Sequence, residues 1–483
     1  MHSSEHEQSA ARNHITARTL RRRALVSMAT AVAVLPVGLC AWVLAHAQPA
    51  QPVQPAPAHD DRIVDASGAN PHPIQLQRPP TAPLSAMAQL GKQIFFDQTL
   101  SASGRLSCAS CHSPQHSYGP PNARPVQLGG PAMTLEGDRA PPSLMYLYRQ
   151  PNFSIGPDQA DADTPVDLTQ AAAQASVTVR AQKTAGVAPA APAMVPQGGL
   201  FWDGRADTLQ SQAFGPLLDP AEMANRRIED VAVKLERGTY RTLFTQLFGE
   251  NVFENRRILL SEAMFAVARY QIEDPSFHPY TSKYDYWLEG KARLTQAELR
   301  GLHLFNDAKK ANCAGCHLSK PSSDGLPPLF TDDQYEALGP PRNLKLAANR
   351  NPHFYDMGIC GPYRKDLSAQ TQYCGMFLTP TLRNVATRST FFHNGVYRTL
   401  EQVLVFYNLR DVDPAKIYPR DARGSANKYD DLPRKYRANI DTSDAPFDRK
   451  RGDVPAMSKA DIEDIIAFMK TLTDGYRPDG DTR

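Results

Sequence analysis

The first pattern along the chain is a set of apolar stripes with the period of an α-helix. One stripe starts near Leu84 and returns every three or four residues, at Met87, Leu90, Ile94 and Phe95. Another covers 261–272 and stops before Asp274-Pro275, because proline cannot continue a helix. Alternation typical of strands is rare, so the sequence predicts a mainly α fold with few short strands.

Helix start signals appear in the C-terminal half. Thr295 and Glu298 form a capping box, in which each side chain satisfies a free backbone N–H of the first turn. Ser458 and Asp461 open the last predicted helix in the same way. The apolar face of that helix consists of Ile462, Ile465, Ile466, Phe468 and Met469.

The N-terminus has the pattern of an export signal. Basic residues, Arg18 and Arg21-Arg22-Arg23, precede an apolar run over 24–45 that ends in Ala45-His46-Ala47. Residues 1–47 are therefore predicted to be the signal peptide of a periplasmic protein that is soluble after cleavage. Since the run is long enough to cross a bilayer, tethering by an uncleaved anchor is the alternative. Cleavage would remove five Arg and two Glu and bring the formal charge of +3 to about 0, which gives no sign of nucleic-acid binding.

Two segments rich in Pro and Ala divide the rest of the chain. Residues 48–83 bury too little apolar area to fold and are predicted to be a linker. Residues 155–197 are predicted to be an insertion in the first domain. On this division an N-terminal domain covers 84–250 and a C-terminal domain covers 251–483.

Each predicted domain carries one Cys-x-x-Cys-His motif, Cys108-Ala109-Ser110-Cys111-His112 in the first and Cys313-Ala314-Gly315-Cys316-His317 in the second. Thiols three residues apart lie one helical turn from each other, so both can bond to one porphyrin while the next imidazole binds its iron. Zinc is the alternative, but neither motif has the second Cys/His pair that tetrahedral zinc needs. The sequence predicts two tandem cytochrome c-type domains, each with one covalent haem c.

Two further cysteines remain once the motifs are assigned. Of the seven Cys, Cys40 lies in the predicted signal peptide and four belong to the motifs, which leaves Cys360 and Cys374. In an oxidising periplasm these two are predicted to form a disulfide.

Several sequence blocks resemble the bacterial dihaem cytochrome c peroxidase and MauG family, in the family's order and approximate spacing over 84–472. They are Leu90-Gly91-Lys92, Phe95-Phe96-Asp97, Phe201-Trp202-Asp203-Gly204-Arg205-Ala206, Gly215-Pro216, Pro220-Ala221-Glu222-Met223, Pro380-Thr381-Leu382-Arg383-Asn384-Val385 and Phe392-His393-Asn394-Gly395. The resemblance implies a peroxide site at the first haem, with Glu222 as its acid/base group and Gln212 and Pro216 beside it. It also implies that Trp202 relays electrons between the haems. The alternatives are that Glu222 is a solvated loop acid and that Trp202 only packs in the core.

The iron ligands implied by the resemblance differ between the two haems. Many relatives cap the first iron with a His sixteen residues past the motif His, where this chain has Leu128, so an open first haem is expected, as in the MauG branch. The register after His393-Asn394-Gly395 puts Tyr407 at the far ligand of the second haem, a position held by Tyr in MauG and by Met in the main peroxidase branch. Met376 is the alternative ligand. A phenolate stabilises higher oxidation states of iron than a thioether does.

The resemblance further implies a calcium ion between the haems, bound by the backbone carbonyls of Leu378 and Pro380 and by an Asn side chain. This chain has Arg139 at the Asn position. Two alternatives therefore exist at this place. One is a calcium ion with an added oxygen ligand from Asp138, and the other is the positive charge of Arg139 instead of a metal.

The function that follows is that of a periplasmic dihaem peroxidase. Such a protein is expected to reduce hydrogen peroxide at the open haem and to share the oxidising equivalents with the His317/Tyr407 haem, with a small c-type cytochrome or a cupredoxin as electron donor. One alternative is a MauG-like oxidase that modifies residues of a partner protein. The other is a dihaem electron carrier without catalysis, which Glu222 beside an open haem argues against.

Overall fold

The computed structural model of the chain describes residues 67–157 and 194–478. The predicted signal peptide, with Cys40, the first part of the predicted linker and residues 158–193 of the predicted insertion lie outside the described residues. Within them the fold is mainly helical with few short strands, which confirms that prediction. No helix in these two ranges is long and apolar enough to span a bilayer.

The helices follow one another along the chain and are separated by loops, single turns and short strands. They are α1 (Ala86–Phe96), α2 (Cys108–Cys111), α3 (Leu209–Leu218), α4 (Ile228–Arg237), α5 (Arg241–Phe248), α6 (Arg256–Glu273), α7 (Lys283–Leu288), α8 (Gln296–Asn306), α9 (Leu400–Leu409) and α10 (Lys459–Lys470). Turns of 3-10 helix cover Gln98–Leu100, Pro114–His116, Leu147–Arg149, Glu250–Phe253, Pro275–Phe277, Cys313–Gly315, Ala348–Arg350, Thr371–Tyr373, Val385–Thr387, Pro414–Lys416 and Arg434–Asn439.

The strands form antiparallel pairs. The pairs are β1 (Leu128–Gly129) with β2 (Leu135–Glu136), β3 (Ser154–Pro157) with β4 (Met194–Gln197), and β5 (Tyr335–Glu336) with β6 (Phe377–Leu378). In the second pair Ser154 lies opposite Gln197, so the two ends of the predicted insertion are hydrogen-bonded to each other.

Local signals decide where several helices begin and end. The capping boxes predicted at Thr295 and Ser458 start α8 and α10. Helix α6 starts before the predicted residue 261, because the side chain of Asn255 accepts the backbone N–H groups of Arg257 and Ile258. It ends at Glu273, where the Asp-Pro pair predicts the end.

Each Cys-x-x-Cys-His motif follows a helix that lies very close to a second helix. A Cβ atom on Gly91 of α1 would fall 1.8 Å from the backbone oxygen of Ala266 in α6, and one on Gly301 of α8 would fall 2.0 Å from that of Asp464 in α10. Only glycine, which has no Cβ, permits this approach. The two halves of the chain therefore repeat one arrangement, a glycine-crossed helix pair that leads into the motif.

Two apolar cores lie beside the two motifs. The first contains residues of α1, α4, α5 and α6, ends at Tyr280 and contacts Cys108. The second runs from Leu76 and Tyr284 to Leu472 and contacts Cys313. Because α6 belongs to the first core, that core extends past residue 250, where the sequence analysis divides the domains.

Residues 67–83, the second part of the predicted linker, pack against the second half of the chain. Leu76 is buried in the second core. The carbonyl of Gly68 accepts the indole N–H of Trp287 at 3.1 Å, and Arg78 pairs with Glu289 at 2.6 Å. The composition of this segment is that of a tether, but these individual residues find partners far along the chain.

Candidate active site

A cavity of about 380 Å³ reaches both Cys-x-x-Cys-His motifs. The motif residues that line it are Cys108, Cys111 and His112 of the first motif and Cys313, Cys316 and His317 of the second. Most of its lining is apolar. A porphyrin is largely apolar and needs a few polar groups to orient it, so a cavity of this kind suits it.

The first motif presents a neutral imidazole to the cavity. The backbone N–H of His112 donates to the carbonyl of Cys108 at 2.9 Å, and its Nδ1 donates to the carbonyl of Tyr118 at 3.1 Å. With Nδ1 held in this way, Nε2 is the nitrogen available to a metal. Burial lowers the pKa of His112 to about 4, which keeps the ring neutral, as a metal ligand must be.

The second motif is built in the same way, although Cys313–Gly315 is a 3-10 turn. The backbone N–H of His317 donates to the carbonyl of Cys313 at 2.8 Å, and its Nδ1 donates to the carbonyl of Phe330 at 2.9 Å. Burial lowers its pKa to about 4 as well. None of the four motif thiols is part of a disulfide. Each motif thus offers two thiols and one imidazole nitrogen, the donor set that fits a covalent haem c.

Glu222 lies in a tightly held loop at the first motif. The N–H of Gly130 donates to the carbonyl of Glu222 at 2.9 Å, and a Cβ on Gly129 would fall 2.2 Å from the backbone oxygen of Ala221. The negative charge of Glu222 helps to raise the pKa of the thiols of both Cys108 and Cys111. The backbone therefore fixes this carboxyl next to the first Cys-x-x-Cys-His motif.

The surroundings of Glu222 keep its proton exchangeable at neutral pH. Burial raises the pKa of its carboxyl to about 7, the negative charges of Asp219 and Asp138 add to the rise, and Arg205 opposes it. Gln212 and Pro216 of α3 line the same cavity, as the resemblance implies. The group can therefore both accept and donate a proton near pH 7.

The described lining of the cavity contains few histidines. They are His112, His116, His317 and His393. Leu128, the position at which many relatives have a capping His, lines the cavity with an apolar side chain. His116 contacts the hydroxyl of Ser113 at 3.1 Å, and the ring of His393 stacks on Phe377 at 3.7 Å. His116 and His393 are therefore each held by a neighbouring side chain.

Trp202 is fixed by segments from both halves of the chain. Its indole N–H donates to the carbonyl of Ala140 at 2.8 Å, and its own carbonyl accepts the N–H of Leu378 at 2.9 Å. A hydrogen bond of 2.7 Å between Leu200 and Ala206 closes the turn that carries it. The half-buried indole lines the cavity that reaches both motifs, so it is not confined to the apolar core.

Tyr407 of α9 lines the cavity, and Met376 does not belong to the described lining. Burial raises the pKa of the Tyr407 phenol, and the nearby Cys316 and Cys313 thiols raise it further. Burial thus favours the neutral phenol, so an anionic oxygen here needs a cation such as iron beside it. The side chain of Met376 packs against two apolar clusters, one of which Tyr407 also contacts.

The residues at the implied calcium position do not fit a calcium ion. Leu378 and Pro380 line the cavity, but the Arg139 guanidinium lies between two buried carboxylates, Asp203 and Asp356, and pairs with both. Among the residues that the structure describes, no group of three or more His, Cys, Asp or Glu could hold a metal ion. Of the two alternatives, a calcium ion or the positive charge of Arg139, the residues present favour the arginine.

The two described cysteines outside the motifs pair with each other. Cys360 and Cys374 form a disulfide with their Cα atoms 5.0 Å apart. Next to it, the N–H of Ile359 donates to the carbonyl of Met376 at 3.1 Å, so the closed loop lies beside β6.

Some titrating groups near the cavity carry no sequence signal. Asp219 and Arg205 change the pKa of Glu222, although neither is predicted as a site residue. At the second motif, burial together with repulsion from neighbouring carboxylates such as Asp441 raises the pKa of Glu336 to about 8, and burial raises that of Asp332 to about 7. Among these groups, Arg205 has one sequence signal: it lies inside the block that contains Trp202.

Comparisons with known proteins agree with the geometry. Residues 85–293 match the profile of the family described as di-haem cytochrome c peroxidase. The chain is 32% identical over 402 residues to the methylamine utilization protein MauG of Paracoccus denitrificans, covering 81% of this chain and 90% of that protein. It is 30% identical over 333 residues to cytochrome c551 peroxidase of Nitrosomonas europaea, covering 69% and 75%. The crystal structure of the diheme peroxidase BthA from Burkholderia thailandensis is similar, with 34% identity, a TM-score of 0.69 and coverage of 86% and 93%.

Proposed function

The chain belongs to the family of di-haem cytochrome c peroxidases and MauG proteins, and we propose that it reduces hydrogen peroxide in the periplasm at a haem bound by Cys108, Cys111 and His112. It is an oxidoreductase that acts on peroxide, and its family implies two haem c groups. The observation that carries the proposal is the position of Glu222, a half-buried residue that lines the cavity beside the first motif and whose carboxyl has a pKa of about 7.

When bound, the haems supply irons that bind peroxide and exchange electrons. Glu222 would accept a proton from one oxygen of the peroxide and deliver it to the other, which makes water the leaving group when the O–O bond breaks. Two electrons and two protons complete the conversion of one peroxide into two waters. The electrons come from a small c-type cytochrome or a cupredoxin. The Gln212 amide can hydrogen-bond the bound peroxide, and the ring of Pro216 limits the water that reaches it.

The second site holds and passes on oxidising equivalents. His317 and Tyr407 would hold the second haem, where a phenolate oxygen would stabilise iron in higher oxidation states. Trp202 lines the cavity that reaches both motifs and is held rigidly by Ala140 and Leu378. A fixed aromatic ring in this position suits an electron relay between the haems.

A second candidate function is an oxidase that uses the same chemistry to modify residues of a partner protein. Similarity to a MauG protein over 90% of that protein's length favours it. The site is the same for both functions, and the electron source differs. A peroxidase takes its electrons from a soluble donor, whereas the oxidase takes them from its substrate protein.

Peroxide consumption by the holoprotein with a reduced c-type cytochrome tests the proposal. The wild type should turn over, and Glu222→Gln should lose about 10²-fold while retaining both haems. Glu136→Gln is the matched control, because Glu136 does not line the cavity and its carboxylate accepts the N–H of Ala347 at 2.6 Å. Turnover unchanged in Glu222→Gln would reject the proposed role and favour the electron carrier.

A further inference from the structure

A buried arginine joins separate chain segments beside the cavity. Nε and Nη2 of Arg139 each donate to an oxygen of Asp356 at 2.7 Å, and Nη1 lies 2.8 Å from Oδ2 of Asp203. The arginine side chain is 6% exposed, that of Asp203 0% and that of Asp356 9%. The rings of Tyr363 and Phe377 are centred 4.9 and 5.5 Å from the guanidinium carbon. We call these five residues the Arg139 cluster.

In the Arg139 cluster the positive guanidinium lies between the carboxylates of Asp203 and Asp356. Burial alone would raise the pKa of Asp356, but the Arg139 guanidinium holds it below its ordinary value. This carboxylate therefore stays ionised. A guanidinium is always protonated and matches a carboxylate with two parallel hydrogen bonds. Calcium would need about six to eight oxygen ligands, whereas two aromatic rings cover this position.

The segment that contains Arg139 also holds Trp202. Ala140, the next residue, accepts the indole N–H of Trp202 at 2.8 Å and donates its own N–H to the carbonyl of His393 at 2.8 Å. Asp203, which pairs with Arg139, directly follows Trp202 in the sequence. Arg139 thus holds Asp203, and the adjacent Ala140 holds the adjacent Trp202. A displacement of Arg139 would therefore displace Trp202.

We propose that the Arg139 guanidinium takes the structural place of a divalent cation between the two haem sites, so that this protein needs no calcium, and that it positions Trp202 through Asp203. The statement about Trp202 rests on the proposed function, whereas the statement about calcium does not. Arg139 acts through other residues and is a positioning residue.

Calcium analysis of the wild-type holoprotein tests the first statement. Elemental analysis should find far less than one calcium per chain. Dialysis against EGTA should leave the haem spectra, the thermal unfolding midpoint and the peroxide turnover unchanged. One tightly bound calcium per chain, or turnover that EGTA abolishes and added calcium restores, would overturn it. A protein without calcium and without peroxide turnover would keep this inference and reject the proposed function.

The Arg139→Gln variant tests the second statement. It leaves Asp356 without its arginine partner and Asp203 paired with Arg205 alone, so the surroundings of the cavity become more negative and potentiometric titration should show lower haem reduction potentials. Peroxide turnover should fall about tenfold or more, because a displaced Trp202 relays electrons poorly. Arg139→Lys keeps the charge and should recover most of the shift in potential.

Arg342→Gln is the matched control for these measurements. Arg342 is also buried, pairs with Asp431 at 3.1 Å and lies 4.8 Å from the ring centre of Tyr355, but it does not line the cavity. This control should lower the thermal unfolding midpoint and leave the haem potentials unchanged. A folded Arg139→Gln protein with both haems and wild-type potentials, or an equal shift in Arg342→Gln, would reject the positioning role. The calcium measurement stands whether or not Arg139→Gln folds.

Discussion

Glu222→Gln removes a titrating proton from the cavity while keeping the size and shape of the side chain. Burial, with help from the charges of Asp219 and Asp138, raises the pKa of Glu222 to about 7. At pH 7 about half of the molecules therefore carry the ionised form, whereas an ordinary glutamate with a pKa of about 4.3 would be ionised almost completely. The proton acceptor and the proton donor are then both present at neutral pH, as proton transfer between two peroxide oxygens requires.

The size of the effect should depend on pH in a defined direction. Only the ionised carboxyl can accept the first proton, so wild-type kcat/KM should rise with pH and reach half of its plateau near pH 7. At about pH 5 only about 1% of Glu222 is ionised, so the wild type loses nearly all of an advantage of about 10²-fold. The two proteins should therefore differ by about 10²-fold near pH 8.5 and be similar near pH 5.

Initial rates of peroxide reduction with a reduced c-type cytochrome, measured from about pH 5 to about pH 9 and normalised to haem content, give both profiles. Glu136→Gln should follow the wild type throughout, since its carboxylate lies outside the cavity. An inflection near pH 7 that persists in Glu222→Gln would refute this role of Glu222. A variant that stays within about threefold of the wild type at the alkaline end would refute it as well.

Other substitutions and one mass measurement test separate parts of the site. Asp219→Asn should move the midpoint of the kcat/KM profile to lower pH, because the charge of Asp219 raises the pKa of Glu222; an unmoved midpoint would contradict this. Tyr407→Met should raise the potential of the second haem in a potentiometric titration, since a thioether stabilises ferric iron less than a phenolate; a wild-type thioether band that disappears on replacing Met376 would show that the assignment is wrong. Trp202→Phe should keep both haem spectra but slow electron exchange between the haems about tenfold or more after flash reduction, and an unchanged rate would leave the indole as a packing residue. Intact mass after alkylation should show two haem additions and no modified thiol in the mature chain, and any alkylated cysteine would refute the thiol assignment.

The helices with local start and stop signals could be predicted from the sequence. Thr295 and Ser458 mark the starts of α8 and α10, because a cap and its partner lie within one turn of each other. The start of α6 was predicted too late, since its first residues, Arg256 and Arg257, are polar and hide the apolar period. The end of α6 was predictable because the proline that follows it acts locally.

Contacts between distant residues could not be predicted in this way. Arg139 and Asp356 are 217 residues apart, and no local pattern indicates that they pair. Leu76 and Arg78 lie in a segment with the composition of a linker, yet they contact the second half. The cysteines and histidine of each motif could be grouped from the sequence because they lie within five residues, but the charges that shift the pKa of Glu222 depend on how the loops fold.

The most direct test of the proposed function is stopped-flow absorption spectroscopy of the fully oxidised protein mixed with one equivalent of hydrogen peroxide. An open haem at His112, with Leu128 in place of a capping His, predicts that peroxide reacts without prior reduction. Oxidation shared with the His317/Tyr407 haem predicts that the spectra of both haems change together. A spectrum that stays unchanged until one haem has been reduced would contradict the open first site.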